Sequence, residues 1–228
     1  MFFESLLFLL AITINSLIFY FKKLKNASKL SICVGVASVV VGGILSFTVY
    51  YHVFPSEEKV EREFDQNVHW KDAKSVYNFT VKNIKGENVS LADYKGHVLL
   101  IVNVASECGF TDENYEELVE LDKKYRESKG LRILAFPCNQ FGEQEPGTNE
   151  EICRFAEVKG AKFDLFDKIN VNGENAHPLW KYLKYKMDKI AIEWNFAKFV
   201  VDKSGRVVRR FHPDVTPFEV AETLAEVW

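Results

Sequence analysis

The stretch VLLIVNVASECGFTD, residues 98–112, indicates the architecture of the protein. Its first seven residues, 98–104, are apolar except for Asn103. Such a run predicts a strand that is buried on both faces in a mostly parallel sheet. A small polar turn, 105–109, follows, and apolar residues then recur at helical spacing. Cys108 is therefore predicted to lie between the end of a buried strand and the start of a helix.

This position of Cys108 favours a reactive thiolate. At the amino end of a helix, unpaired backbone N–H groups and the helix dipole stabilise a negative charge. A lone cysteine is more often a buried structural residue. The small polar residues around Cys108 favour exposure instead, and we therefore expect an exposed, reactive thiol.

Strands and helices alternate along the carboxyl-terminal part of the chain. The pattern predicts a hairpin over 76–91, strands over 98–104 and 131–136, helices over 114–128, 148–158 and 177–186, strands over 199–202 and 207–211, and a helix over 216–228. This is the order of a thioredoxin-like α/β fold, with a central mixed sheet flanked by helices. The carboxyl ends of strands are where open α/β sheets place their sites, and Cys108 follows such an end.

Composition and charge exclude several classes of function. The 228 residues carry a formal charge of −3, which gives no electrostatic indication of a nucleic-acid partner. The four cysteines form no CxxC pair, and the five histidines show no metal-binding spacing. We therefore expect neither a metal site nor a disulfide scaffold.

The first 54 residues predict a membrane anchor. Two apolar runs, 6–21 and 30–54, flank a basic loop, 22–29, that holds four lysines. The second run has no formal charge and exceeds the roughly 20 residues that a transmembrane helix needs, and its glycines and serines are typical of membrane helices. The first run is compatible with a second span, an interfacial segment or a signal sequence. Its amino terminus, with Glu4 and no Lys or Arg, is a poor match to a signal peptide.

The charges around the apolar runs predict an orientation. The basic loop precedes the second run and a net acidic segment follows it, so the positive-inside rule places the rest of the chain on the lumenal side. We therefore expect the endoplasmic reticulum or secretory pathway, whereas a cleaved signal would leave the domain in the cytosol. Asn78 and Asn88 lie in glycosylation sequons that become usable on the lumenal side. Residues 55–74 are charged and predict a linker to a domain over 75–228.

Three blocks of sequence resemble the signature blocks of the glutathione peroxidase family. They are NVASECGFTDENY (103–115), LAFPCNQFGEQEPG (134–147) and WNFAKFVVD (194–202), and they occur in the family's order. The resemblance covers residues 75–228, and the family's fold agrees with the thioredoxin-like order. The predicted anchor is most similar to the small, membrane-anchored, cysteine-containing endoplasmic-reticulum branch of the family.

The resemblance implies a thiol-dependent peroxidase that reduces hydrogen peroxide or organic and lipid hydroperoxides in the response to oxidative stress. Cys108 is then the peroxidatic residue, and Gln140, Trp194 and Asn195 complete an active-site tetrad. Their N–H groups would stabilise the thiolate and the departing oxygen. No prosthetic cofactor is implied, and the co-substrate is glutathione or a thioredoxin-fold protein. The alternative is a redox relay or sensor that passes oxidising equivalents to a protein disulfide isomerase-type partner.

Two other cysteines are candidates for the resolving step, in which a thiol clears the sulfenic acid of Cys108. Cys153 resembles the resolving position of thioredoxin-dependent members and is preferred to Cys138, to which the endoplasmic-reticulum branch directs attention. A disulfide requires a Cα separation of about 4.4–6.8 Å, so the helix that carries Cys153 is expected to unwind. Cys33, in the second apolar run, acts as a small apolar residue. The short segment 186–193 is typical of members without an oligomerisation loop and predicts a monomer.

Overall fold

The computed structural model describes residues 30–41, 44–55 and 64–228, with the exception of residue 225. The predictions for the first apolar run, 6–21, and for the basic loop, 22–29, lie outside the described residues. The described residues belong to two units, an amino-terminal pair of strands and a carboxyl-terminal α/β domain.

The amino-terminal unit consists of two antiparallel strands, β1 (Leu30–Val41) and β2 (Ile44–Pro55). The prediction of one helix over 30–54 is therefore wrong for these residues. The segment is rich in valine, isoleucine and aromatic residues, which favour extended backbone. The sequence between the strands is Gly42-Gly43, a dipeptide typical of two-residue hairpin connections. Within the part of the chain that the structure describes, no helix combines the length and the apolar character needed to cross a bilayer.

The α/β domain is built on a five-stranded sheet. The strands lie in the order β7 (Asp164–Leu165), β6 (Leu131–Pro137), β5 (Val98–Val104), β8 (Lys198–Val201) and β9 (Val207–Phe211). Strands β5, β6 and β7 are parallel, β8 is antiparallel to β5, and β9 is antiparallel to β8. The predicted mixed sheet is confirmed, and β5 lies at its centre. Strand β7 was not predicted, because two residues are too few to show the alternation of apolar and polar residues that identifies a strand.

Helices and a small hairpin complete the domain. The helices are α1 (Gln66–His69), α2 (Thr111–Tyr125), α3 (Asn149–Val158), α4 (Pro178–Lys186) and α5 (Pro217–Leu224), the hairpin strands are β3 (Thr80–Lys82) and β4 (Asn88–Ser90), and 3₁₀ turns span Trp70–Asp72, Val76–Asn78 and Leu91–Tyr94. Thr148 and Glu151 form the predicted capping box of α3. Helices α4 and α5 each begin at a proline, whose fixed φ suits the first helical position.

The hydrophobic core forms two clusters, one on each face of the sheet. Because side chains alternate along a strand, Leu99 of β5 lies in the cluster with Trp180 of α4, and Leu100 lies in the cluster with Leu118 of α2. Every residue of β5 is buried, which confirms the strand predicted from the sequence. We call these two sides the α4 face and the α2 face.

Residues 64–74, predicted to belong to the solvated linker, instead pack on the domain. Phe64 meets Phe79 edge-on, with ring centroids 6.0 Å apart. Trp70 meets Tyr185 of α4 in the same way, at 5.8 Å. These two aromatic contacts, together with two hydrogen bonds between the Gln66 side chain and the Thr80 backbone, fix the charged stretch to the surface of the folded domain.

Candidate active site

Cys108 lies in the turn between β5 and α2, where the sequence predicts it. We call residues 105–110 the cysteine turn. Thr111, the first residue of α2, holds this turn: its hydroxyl donates to the Ala105 carbonyl at 2.8 Å and accepts from the Cys108 N–H at 3.1 Å. The Thr111 N–H donates to the Cys108 carbonyl at 3.0 Å. One buried side chain therefore fixes the path of the backbone on both sides of the thiol.

The thiol of Cys108 is less exposed than the sequence predicts. The residue is 9% exposed and packs at the edge of the α2-face cluster. The neighbouring residues Glu107, Gly109 and Phe110 take the solvent-facing positions of the turn. Cys108 therefore meets solvent over a small area, which suits a reaction with a small group such as a peroxide oxygen.

Trp194 and Asn195 lie in the loop before β8, residues 187–197, which we call the tryptophan loop. Asn195 is completely buried, and its Nδ2 donates to Gln144 Oε1 at 2.9 Å and, more weakly, to the Phe141 carbonyl at 3.5 Å. Trp194 is 38% exposed, and its ring packs on Phe141 with centroids 5.9 Å apart. The loop thus presents an indole and an amide side by side, against the segment that follows β6.

Gln144 connects the cysteine turn to the tryptophan loop. Its backbone carbonyl accepts a hydrogen bond from the Glu107 N–H at 3.0 Å, while its side chain binds Asn195. Gly142, with a φ of 63°, lies against both side chains: a Cβ atom there would be 3.4 Å from the Gln144 amide carbon and from the Trp194 ring. Gln144, Trp194 and Asn195 therefore form one group of polar side chains, which we call the donor group.

Gln140, predicted to be the glutamine of the tetrad, lies outside the donor group. Its Oε1 accepts from the N–H groups of Val171 (2.7 Å) and Asn172 (2.9 Å), and its Nε2 donates to the Asn172 carbonyl at 3.1 Å. The Gln140 amide is thus used to hold a neighbouring loop. Both glutamines lie in the block 134–147. Gln144 was not predicted because the sequence does not show which of the two side chains forms a hydrogen bond with Asn195.

A buried carboxyl group contacts the other side of the cysteine turn. Glu145 is fully buried, its Oε1 accepts from the Ser106 hydroxyl at 2.8 Å, and its Oε2 has no hydrogen-bond partner among the described residues. Burial raises the pKa of Glu145 to about 7, although the Ser106 hydrogen bonds and the charge of Lys168 oppose the shift. The carboxyl group therefore titrates near neutral pH. Its hydrogen bond to Ser106 links it to the cysteine turn, two residues before Cys108. Glu145 was not predicted from the sequence. The one indication of its role there is its position next to Gln144 in the block 134–147.

The two candidate resolving cysteines lie in different surroundings. Cys138 follows β6 and is fully buried in the α4-face cluster, whereas Cys108 belongs to the α2-face cluster. Burial raises the pKa of the Cys138 thiol. Cys153 is half-buried on α3 with its Sγ 3.7 Å from Glu157 Oε1, and partial burial together with that carboxylate raises its pKa. All three cysteines are free thiols in the structure, so no pair of them is joined.

Comparisons with known proteins agree with this arrangement. The glutathione peroxidase family model matches residues 76–184. The chain is 52% identical over 160 residues to the phospholipid hydroperoxide glutathione peroxidase of Bos taurus, which covers 68% of this chain and 81% of that protein. The chain belongs to the glutathione peroxidase family.

Two other similarities place this glutathione peroxidase among its relatives. It is 52% identical over 160 residues to the probable mitochondrial phospholipid hydroperoxide glutathione peroxidase 6 of Arabidopsis thaliana, covering 68% of each chain. The crystal structure of T. cruzi GPX1 superposes with a TM-score of 0.57 at 37% identity, covering 68% of this chain and 96% of that one. Its thioredoxin-like fold is thus the family's fold.

Membership of the family establishes the class of reaction. The protein is a peroxidase, an oxidoreductase that reduces hydroperoxides with a thiol as co-substrate and without a prosthetic cofactor. Among the residues that the structure describes, no cluster of His, Cys, Asp and Glu could hold a metal ion.

Proposed function

We propose that this glutathione peroxidase carries its chemistry on Cys108, that Gln144 and Trp194 supply the N–H donors, and that Asn195 holds the Gln144 side chain through its Nδ2. The observation that supports this most strongly is the double contact of Gln144, whose carbonyl binds the cysteine turn and whose side chain binds Asn195. In this proposal Gln144 has the role that the sequence analysis gave to Gln140.

The first half of the reaction oxidises Cys108. Its thiolate attacks one oxygen of the hydroperoxide, and the S–O bond forms as the O–O bond breaks. The second oxygen leaves with the bonding electron pair and takes up a proton, which gives water or an alcohol, and Cys108 is left as a sulfenic acid. Preformed N–H donors accelerate this step because they stabilise the negative charge that develops on the departing oxygen.

The second half returns Cys108 to the thiolate. A first thiol attacks the sulfenic sulfur, which releases water and forms a disulfide, and a second thiol then breaks that disulfide. We propose Cys153 rather than Cys138 as the internal first thiol. A cleft of about 450 Å³ is lined by Ser106 and Glu107 of the cysteine turn and by Glu151 and Ile152, the two residues that precede Cys153 in α3. The helix around Cys153 has to unwind for the two sulfurs to meet, since the residue lies within α3.

We propose organic and lipid hydroperoxides, as well as hydrogen peroxide, as substrates in the response to oxidative stress. Both relatives compared above are named for phospholipid hydroperoxides. Phe110 and Trp194, each 38% exposed, provide apolar surface on the cysteine turn and on the donor group. A hydroperoxide on an acyl chain would find apolar contacts there, which favours this class of substrate.

The test of the assignment is single-turnover peroxide consumption by the full chain, followed by stopped flow. Cys108→Ser should abolish consumption because the serine hydroxyl is not ionised at neutral pH and is a poor nucleophile. Cys138→Ala, a change on the opposite face of the sheet, should leave the rate unaltered. Consumption by Cys108→Ser at the wild-type rate would remove Cys108 from the reaction.

A second candidate function is a redox relay to a protein disulfide isomerase-type partner. The half-buried thiol of Cys153 favours it, because Cys153 lines an open cleft of about 360 Å³ with Lys85, Glu87 and Glu157. Trapping of mixed disulfides in Cys153→Ser separates the two functions. A discrete protein adduct on Cys108 supports the relay, and glutathione adducts alone oppose it.

We also propose that residues 1–54 associate with a membrane and that residues 64–228 form a monomeric catalytic domain, with the segment between them as a connection. The two apolar runs around four lysines support this anchor. A lumenal domain in the endoplasmic reticulum or secretory pathway requires in addition that the second run crosses the bilayer, so the paired strands β1 and β2 would have to be replaced by a helix in the membrane. Extraction of cell membranes with alkaline carbonate should leave the full chain in the pellet and release a chain that starts at residue 64. Asn78 and Asn88 are exposed, so a lumenal domain should show an endoglycosidase shift that is lost in Asn78→Gln/Asn88→Gln.

A further inference from the structure

Phe196, the residue after Asn195, has an unusual backbone conformation. Its φ of 68° lies in the left-handed region, which a bulky residue rarely adopts because its Cβ crowds the backbone. The side chain is fully buried in the α2-face cluster, so Phe196 is held on both its backbone and its ring. A conformation of this kind persists only where the surrounding structure imposes it, and such conformations cluster at functional sites.

Asn103 of β5 binds the backbone on either side of Asn195, immediately before this bend. Its Nδ2 donates to the Trp194 carbonyl at 3.1 Å, and its own carbonyl accepts from the Phe196 N–H at 2.7 Å. These two bonds fix the peptide groups on either side of Asn195. Asn103 is completely buried and is the polar residue of an otherwise apolar strand.

Lys198 of β8 binds the same bend from its carboxyl side. The residue is completely buried, and its Nζ donates to the Phe196 carbonyl at 2.7 Å, to the Val215 carbonyl at 2.8 Å and to the Pro213 carbonyl at 3.4 Å. Burial lowers the pKa of Lys198 to about 8, and surrounding carboxylates oppose the shift, so the ammonium remains mostly protonated at neutral pH. Its three N–H donors match three carbonyl acceptors.

Stability alone does not account for Asn103. An apolar residue at this position would extend the apolar run of β5 and avoid the cost of burying an amide. The Asn103 Oδ1 has no hydrogen-bond partner among the described residues, so the amide is only half satisfied. What Asn103 contributes is a fixed position for the chain that carries Trp194 and Asn195.

We propose that Asn103 and Lys198 are positioning residues for the peroxidase reaction. Together they hold the left-handed bend at Phe196, and the bend directs the Trp194 indole and the Asn195 amide into the donor group. The inference rests on the proposed roles of these two side chains in the donor group, Trp194 as a donor and Asn195 as the partner of Gln144. Displacement of a catalytic group by about 1 Å can reduce a rate by about 100-fold, so loss of either positioning residue should be visible in the rate.

The decisive experiment is a mutant cycle on the full chain. Asn103→Leu removes the Nδ2 donor at similar volume, and the rate of Cys108 oxidation in stopped flow should fall about 10- to 100-fold. In a Trp194→Phe/Asn195→Ala background, which is itself slow, the same substitution should change the rate by less than about 2-fold, because residues that act through one another are not additive.

Each outcome of this cycle decides a separate point. If Asn103→Leu slows both backgrounds by the same factor, or slows neither, the positioning role is overturned and the donor assignment stands. If Trp194→Phe/Asn195→Ala retains the full rate, the donor assignment fails, and the positioning role fails with it.

Lys198→Met provides a second route in case Asn103→Leu folds poorly. Its matched control is Arg132→Met: Arg132 also donates from a strand to backbone carbonyls, those of Arg126 and Leu131, but near the start of β6 at the opposite end of the sheet. Both variants should lower the Tm, and only Lys198→Met should slow oxidation. It should also shift the ¹⁹F resonance of Trp194 in 5-fluorotryptophan-labelled protein, identified by its loss in Trp194→Phe. An equal rate loss in Arg132→Met, or an unshifted Trp194 resonance in Lys198→Met, overturns the inference.

Discussion

The cysteine turn and the donor group are stabilised by contacts of different range. The cysteine turn is held by Thr111, whose hydroxyl bonds to groups three and six residues away in the sequence. The donor group is held by contacts between distant segments: Asn195 and Gln144 are 51 residues apart, and Asn103 and Trp194 are 91 residues apart. The chain around the proposed nucleophile is thus held mainly by a local motif, to which Ser106 and Glu107 add bonds to Glu145 and Gln144. The proposed donor group depends on contacts between segments that are distant in the sequence.

The largest effect is expected where the donor group meets the cysteine turn. Gln144→Ala should lower the rate of Cys108 oxidation about 100-fold, since loss of one preorganised donor of this kind costs about 10²–10³ in rate. Gln140→Ala, the matched control from the same block, should change the rate by no more than about 3-fold. Stopped-flow measurement of both variants with the same hydroperoxide makes the comparison. The opposite ranking would return Gln140 to the active site.

A pH-dependent effect is expected at Glu145, which follows Gln144 in the sequence and binds Ser106 of the cysteine turn. Its pKa is raised from 4.5 to about 7 in the folded protein. Its contribution to stability is therefore fully present below about pH 4.5 and is lost as the pH rises through 7, because the buried carboxyl must then ionise. The shift corresponds to a loss on the order of 3 kcal/mol.

Glu145→Gln isolates this contribution, because the amide cannot titrate. Urea unfolding at pH 5 and at pH 8 should show wild type losing stability between the two values and Glu145→Gln losing markedly less. A parallel decline in both proteins would assign the pH dependence to other groups.

Thr111→Val tests the local contacts of the cysteine turn, because it keeps the shape of the side chain and removes its hydroxyl. The Ala105 carbonyl and the Cys108 N–H each lose a partner, so unfolding free energy should fall by about 2 kcal/mol. Oxidation of Cys108 should slow only a few-fold, because the donor group retains its own long-range contacts. Urea titration and stopped flow measure the two quantities. A loss of rate as large as that of Gln144→Ala would show that the two regions are not held independently.

Effects on turnover, with no effect on the oxidation of Cys108, are expected at Cys153 and Cys138. With a thioredoxin-fold reductant in steady state, Cys153→Ser should lower turnover by about 10-fold if helix α3 opens during the cycle. Cys138→Ala should leave turnover within about 2-fold of wild type, because its thiol lies on the α4 face of the sheet. A ranking in which Cys138→Ala is the slower enzyme would reverse the assignment of the resolving thiol.

Much of the fold was predictable because it follows from local patterns. The run 98–104 predicts β5 with its bounds, since a seven-residue apolar stretch interrupted by Asn103 alone is typical of a strand covered on both faces. The capping box at Thr148 and the prolines that open α4 and α5 identify three helix starts, because each satisfies the backbone within one turn.

Other features depended on contacts that patterning does not encode. Residues 64–74 look like a charged linker, but two aromatic rings fix them to the domain. The apolar stretch 30–54 satisfies the length criterion for a helix, yet its β-branched and aromatic content favours the paired strands β1 and β2. Length and mean hydropathy do not distinguish a helix from a pair of strands, so these two criteria could not decide the conformation of the segment.

The sequence alone established that Cys108 follows a buried strand and precedes a helix. The strand, turn and helix patterns are local, and they follow one another directly along the chain. Tertiary structure alone decided which glutamine joins the donor group. Gln140 and Gln144 are four residues apart in one block, and they separate because the chain turns between them, at Gly142. That turn directs one amide toward Asn172 and the other toward Asn195. Likewise, Asn103 and Lys198 contact the tryptophan loop only because β8 pairs with β5 and brings the loop next to both side chains.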